Sequence, residues 1–110
     1  MITSQELTST SHWFRVFEGD IVIGRARLYL IENNLHEKPY GYLEDVWVDE
    51  ECRGKGIGTG LLTAVFKKAE LIGCHKIVAT SRNENESVHK LYERLGFKKY
   101  GYEFRMDLSQ

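Results

Sequence analysis

The sequence predicts a mixed α/β domain: a mostly antiparallel sheet containing one central parallel strand pair, accompanied by two main helices. Three observations lead there. Aromatic and β-branched residues fill positions 12–31 on either side of a Gly19-Asp20 pair. A glycine-rich turn, Arg53 to Gly58, separates a strand-like run from a helical one, and a second helical pattern closes on Gly96-Phe97. At 110 residues the chain is sized for a single domain, 1–110, whose core needs neither disulfides nor metals. Fifteen basic residues against sixteen acidic ones give no global field, so neither nucleic acid nor a membrane surface is expected as a partner. Cys52 and Cys74 lack metal-ligand spacing and the density of a disulfide framework, and are expected as free thiols. There is no signal-like start and no apolar run of membrane length, so a soluble cytoplasmic protein is expected.

The elements follow in order. His12 to Glu18 and Ile21 to Ile31 read as antiparallel strands joined at Gly19-Asp20, and the polar stretch Glu32 to Pro39 reads as a loop. In Tyr42 to Val48, strict alternation places Tyr42, Glu44, Val46 and Val48 on one side and Leu43, Asp45 and Trp47 on the other. From Ile57, the apolar residues Leu61, Val65, Ala69 and Ile72 recur at helical spacing, and Gly73 is placed to stop that helix. Lys76 to Thr80 has buried-strand character, which completes a strand–helix–strand unit with a parallel pair. Val88, Leu91, Tyr92 and Leu95 give a second helix over Glu86 to Leu95, with Asn83 or Asn85 able to cap it and Gly96-Phe97 as its stop. Alternation from Lys98 to Leu108, with Gly101 at the turn, predicts a final hairpin.

The glycine-rich turn carries the chemistry. Where a strand feeds a helix, the first helical N–H groups lack internal partners and the helix dipole adds positive charge, so a phosphate is stabilised there. Gly54, Gly56 and Gly58 permit close approach, Arg53 and Lys55 add charge, and Thr59 adds a hydroxyl. A P-loop needs Gly-Lys-Ser/Thr after four intervening residues, and a dinucleotide turn needs a third glycine where this chain has Thr59 or Leu61. Neither motif is present. What does fit is Arg/Gln-x-x-Gly-x-Gly, filled by Arg53, Gly56 and Gly58, and downstream Asn85, a tyrosine seven residues on at Tyr92, and Gly96-Phe97. On these residues the chain resembles the GNAT superfamily of acyltransferases from about Tyr42 to Phe97.

That resemblance implies acetyl-CoA as acyl donor, an amine as acceptor and no metal. It implies that the backbone of Val46, Trp47 and Val48 binds pantetheine and thioester, that Arg53, Gly54, Lys55, Gly56, Ile57, Gly58 and Thr59 cradle the pyrophosphate, and that Asn85 contacts the cofactor. A thiolate leaving group has a pKa near ~8.5 and a phenol near ~10, so Tyr92, which matches the family tyrosine, suits the acid that protonates the departing sulfur. Glu44, on the strand just before the cofactor segment, is the candidate base; Glu-Asp before an apolar triplet also resembles the amino-sugar-phosphate acetyltransferases of the superfamily. Ordinary roles compete at each position: Tyr92 as a core aromatic, Glu44 as a surface carboxylate, Asn85 as a helix cap, Arg82 as a solvated loop charge. His75, just before a strand, and His89, on the outer face of the second helix, are expected at the surface, and His12 and His36 carry no motif. Cys52 has no histidine placed to activate it, which favours direct transfer in a ternary complex over an acyl-enzyme.

The chain departs from the family at its start, where about a dozen polar residues stand in place of a strand and two helices that cover the acceptor side. Either the acceptor site is open, as suits a protein tail, or a second subunit of a homodimer supplies a wall, as suits a small amine. A non-catalytic acyl-CoA-binding or regulatory module, and a nucleotide-binding protein, stand as alternatives.

Overall fold

Gly19 adopts a left-handed conformation (φ 61°) and, with Asp20, turns β1 (Ser11–Glu18) back into β2 (Ile21–Ile31), forming the hairpin that its Gly-Asp pair predicts. The structure is a computed structural model that describes residues 1–109. It divides into two units, Met1–Ala79 and Thr80–Gln110, each described by itself below.

In the first unit, β3 (Tyr40–Val48) runs antiparallel to β2, and β4 (Ile77–Ala79) lies parallel to β3, giving a sheet of order β1-β2-β3-β4. Between β3 and β4 come a short 3-10 turn (Glu50–Cys52) and α1 (Ile57–Ile72), so the expected strand–helix–strand unit with its parallel pair is present. Leu61, Leu62, Val65 and Ala69 are buried on α1, while Ala26, Leu28 and Leu43 are buried in the sheet that α1 crosses. Leu62, outside the stripe that periodicity picks out, is fully buried, whereas Ile72, which the stripe includes, is only half-buried. Leu28 spreads over Gly41: a Cβ there would come within 2.7 Å of Leu28 Cδ1. Because Leu62 is fully buried, Leu62→Ala should cost about 2–5 kcal/mol through lost transfer energy and the cavity left behind. The measurement is urea unfolding; a parent-like midpoint would remove Leu62 from the core.

α1 ends in a Schellman stop. Gly73 is left-handed (φ 95°), the Cys74 N–H donates to Ala69 O at 2.9 Å and the Gly73 N–H to Glu70 O at 3.1 Å. The second unit repeats the device after α2 (Glu86–Arg94). Gly96 (φ 108°) donates to Glu93 O at 3.1 Å, Phe97 donates to Tyr92 O at 2.9 Å, and the Phe97 ring folds back to 5.0 Å from that of Tyr92. Both stops are those that their glycines predict.

The final hairpin does not form. No residue from 98 to 109 is in a strand, and Tyr100, Tyr102, Phe104, Met106 and Leu108 are all exposed. Alternation favours an extended chain, but a strand also needs a hydrogen-bonding neighbour, and this segment has none among the described strands.

Candidate functional site

The site is built around the exit from β3. The Asp49 N–H donates to Ile23 O at 2.8 Å, and Asp49 Oδ1 accepts from the Glu51 N–H at 3.3 Å, which starts the 3-10 turn. Cys52 is buried at the end of that turn, so it anchors the loop and is not presented as a nucleophile. The Arg53 guanidinium folds back, its Nε donating to Val48 O at 3.2 Å. Gly54 and Gly56 both take φ 80°, a region that side chains with a Cβ disfavour, and Gly56 begins α1 with no side-chain cap. The first helical bond runs from the Gly60 N–H to Gly56 O, so helix geometry leaves the amides of Ile57 and Gly58 without an intrahelical acceptor. A Cβ on Gly54 or Gly56 would meet nothing within 4 Å, so the turn faces open space. Donors, dipole and room together suit an anion.

The neighbouring edge of β3 has a defined polarity. Alternate residues of an antiparallel strand turn their N–H and C=O to the same neighbour. Since Asp49 donates to β2, alternation has Trp47 do likewise and turns the main-chain groups of Val48 away from β2. On that side β4 pairs only with Gly41 to Leu43. β3 therefore runs five residues beyond its last pairing with β4, and the opening lies beside the turn that starts α1.

A bulge changes the sidedness of β3. Trp47 pairs with Arg25 and Glu44 with Arg27, so Asp45 and Val46 together face the single residue Ala26. Asp45 takes φ 57°, a conformation that aspartate tolerates better than most residues. Strict alternation, which groups Glu44 with Val46 and Val48, is thereby corrected. Glu44 and Trp47 lie beside Arg27 and Arg25 on the face away from α1, while Val48 lies beside Gly24, where an added Cβ would come to 3.3 Å from Ile57 of α1. Nor does Asp45 turn to the opposite side: its Oδ2 accepts from Arg25 Nε at 2.8 Å and its Oδ1 from Nη2 at 3.3 Å. This hydrogen bond raises the Arg25 pKa above its ordinary value, and the guanidinium lies 4.7 Å from the centre of the Trp47 ring.

Glu44 thus belongs to an exposed aromatic and arginine-rich face that position-by-position reading of β3 misses. Arg15 and Arg27 stack on Trp13 at 4.2 and 4.9 Å, and Tyr29 and Tyr42 lie 6.4 Å apart across β2 and β3. The signal was available in the unbroken alternation of Trp13, Arg15 and of Arg25, Arg27, Tyr29.

Asn85 and Tyr92 are in the second unit. Asn85 holds the N-cap position of α2, but its side chain makes no capping bond and instead accepts from Ser87 Oγ at 3.4 Å, so the side-chain cap expected of it is absent. Tyr92 is the ring against which Phe97 rests. Among the described residues, no group of three metal-ligating side chains could hold an ion.

Away from the turn, His75 stacks 4.1 Å from His36 and 6.3 Å from Tyr40. Desolvation, and then repulsion by His36 and Lys76, lowers its pKa below the ordinary 6.5. An unfolded chain would bind that proton more readily, so the contribution to stability is present above the unfolded pKa and falls away as the pH drops through the range below it. In an NMR titration His75 should have a midpoint below 6.5, and His36→Gln should raise it; an unmoved midpoint would exclude His36 as a cause.

The sequence profile described as the Acetyltransferase (GNAT) family matches residues 2–97. The chain belongs to the GNAT acetyltransferase family. Within it, the chain is 35% identical over 68 residues to the glucosamine 6-phosphate N-acetyltransferase of Trypanosoma brucei brucei, covering 62% of this chain and 44% of that one. It is 31% identical over 84 residues to the enzyme of the same name from Candida albicans, covering 76% and 54%. The crystal structure of a Trypanosoma brucei acetyltransferase superimposes with a TM-score of 0.72 at 30% identity, covering 79% of this chain and 60% of that one. The chain thus spans about half the length of these curated GNAT relatives.

Proposed function

We propose that the protein transfers the acetyl group of acetyl-CoA to a primary amine by direct attack in a ternary complex. The observation that carries this is the left-handed glycine turn opening α1 beside the β3 edge that β4 leaves uncovered. The amides of Ile57 and Gly58 and the charges of Arg53 and Lys55 receive the pyrophosphate, with Gly54, Gly56 and Thr59 completing the cradle. The main chain of Val46 to Val48 receives pantetheine, and an N–H there polarises the thioester carbonyl. Glu44 takes the proton of the acceptor ammonium, directly or through a water. The free amine then adds to the carbonyl carbon, the C–S bond breaks as the tetrahedral intermediate collapses, Tyr92 gives its proton to the departing sulfur so that CoA leaves as a thiol, and the extra proton on the new amide nitrogen returns to the Tyr92 phenolate through solvent. Asn85 contacts the cofactor.

The acceptor approaches the face on which Glu44, Arg27, Trp13, Tyr29 and Tyr42 lie. A carboxylate beside a guanidinium that makes no close ion pair among the described residues suits an amine that also bears an anionic group, and the relatives named for glucosamine 6-phosphate make an amino-sugar phosphate the first acceptor to try. The test follows thiol release from acetyl-CoA with glucosamine 6-phosphate, aminoglycosides and peptide amines. Release that depends on one acceptor class is expected. Tight CoA binding with no turnover on any of them would favour an acyl-CoA-binding module, and preference for ATP or NAD over CoA would favour a nucleotide-binding protein.

A further inference from the structure

A bulge whose first residue is left-handed ordinarily has glycine there, because glycine takes a positive φ without a steric cost. In β3 that place, at φ 57°, is held by Asp45. What aspartate has and glycine lacks is a carboxylate, and both of its oxygens accept from one guanidinium, Oδ2 from Arg25 Nε at 2.8 Å and Oδ1 from Nη2 at 3.3 Å. The same guanidinium lies 4.7 Å from the centre of the Trp47 ring, and Arg25 is the residue of β2 that pairs with Trp47. One side chain thus grips the first residue of the bulge and the first residue after it, with Val46 between them.

The grip adds little to the fold as a whole. The Arg25 and Asp45 side chains are 37% and 50% exposed, and an ion pair so placed contributes weakly to global stability. Its effect is local. Downstream, the donor segment is tied to β2 by the pairings of Trp47 and Val48 and by the Asp49 N–H bond to Ile23 O. Upstream, among the described residues, Asp45 and Val46 are paired in neither the β2 nor the β4 ladder, so the Arg25 side chain is what ties the start of that segment to β2. A two-pronged fork with its plane against a ring limits both position and twist, which a single ammonium does not.

We propose that Arg25 is a positioning residue for acetyl transfer: by holding Asp45 and Trp47 together it fixes the bulge and so sets the main chain of Val46 to Val48 against the thioester, a role that rests on the proposed use of that segment for the donor. Arg25 acts through the backbone of β3 and not on a reacting atom. Polarising the carbonyl depends steeply on where the N–H points, whereas the pyrophosphate is held at the start of α1. The effect therefore falls on kcat and not on CoA affinity.

The test compares Arg25→Met, Arg25→Lys, Asp45→Gly and the double variant Arg25→Met/Asp45→Gly with the parent. Arg25→Met should keep the parent far-UV circular dichroism, bind CoA within about twofold of the parent by calorimetry, and lose about tenfold in kcat. Arg25→Lys keeps the charge without the fork and should recover only part of that loss. Asp45→Gly keeps the positive φ, so its loss isolates the carboxylate. The double variant should be no slower than the slower single one, since either change releases the same grip. Exchange of the Trp47 and Asp49 amides should quicken by roughly tenfold in each case. A parent-like kcat in Arg25→Met would overturn the role, as would a loss confined to CoA affinity or losses that multiply in the double variant; were Arg25→Met not to fold, Asp45→Gly decides by the same readouts. A parent that turns over no amine would sink the proposed reaction and this role with it, whereas an active parent with unaffected variants sinks the role alone.

Discussion

A Gly56→Val chain is expected to fold and to lose most of its affinity for acetyl-CoA. The two effects have separate origins. Gly56 sits at φ 80°, where a β-branched residue is strained by about 1–2 kcal/mol, yet the new Cβ would meet no protein atom within 4 Å. Stability should therefore drop modestly. In the proposed site the pyrophosphate, by contrast, comes against the main chain at this point, and a side chain projecting into the open space would hold it off. Losing one or two charge-assisted hydrogen bonds at about 1.5–3 kcal/mol each raises Kd by between roughly tenfold and roughly 20,000-fold. Calorimetric titration with CoA, alongside a thermal melt, separates the two. A parent-like Kd would remove the turn as the phosphate site.

Replacing Glu44 with glutamine keeps the shape of the side chain but removes the proposed base, so kcat should fall by about 10²–10⁴ at neutral pH. The deficit should shrink as the pH rises toward the acceptor's own pKa, because the amine then arrives without its extra proton. A pH–rate profile parallel to that of the parent would make Glu44 a structural carboxylate. The neighbouring Arg27 helps to interpret the outcome, since loss of acceptor binding alone would raise KM and leave kcat in place.

Much of the fold around the glycine-rich turn was legible in the sequence because glycine declares backbone conformation directly. Gly19, Gly73 and Gly96 each turn or stop an element where a positive φ is required, and Gly54 and Gly56 do the same in the turn that opens α1. The facing of Glu44 was not legible. It depends on a bulge at Asp45, and the visible trace is only two adjacent acids where an alternating strand should carry one. Leu62 was missed because a helix stripe is wider than a single row, so the neighbour of Leu61 also reaches the core. The tail from Lys98 shows a third limit. Its period of two is plain, but a period specifies which side chains share a face and not which strand will lie alongside.

The bulge has one more effect, on how the strand can vary. It places a phase break inside β3: Gly41 to Leu43 pair with both β2 and β4, whereas Trp47 and Val48 pair only with β2. In the proposed reaction the first stretch meets the acceptor through side chains and the second meets the donor through main-chain amides. Side chains at Tyr42 and Glu44 can therefore be exchanged without altering the hydrogen-bonding pattern at Val46 and Val48, and apolar exchanges at the two valines leave that pattern in place as well. Deleting Asp45, by contrast, would merge the two phases into one regular alternation, with Glu44 still on the face of Trp47 but the extra residue between the two stretches gone. A single residue of slack keeps what the strand selects independent of what it holds.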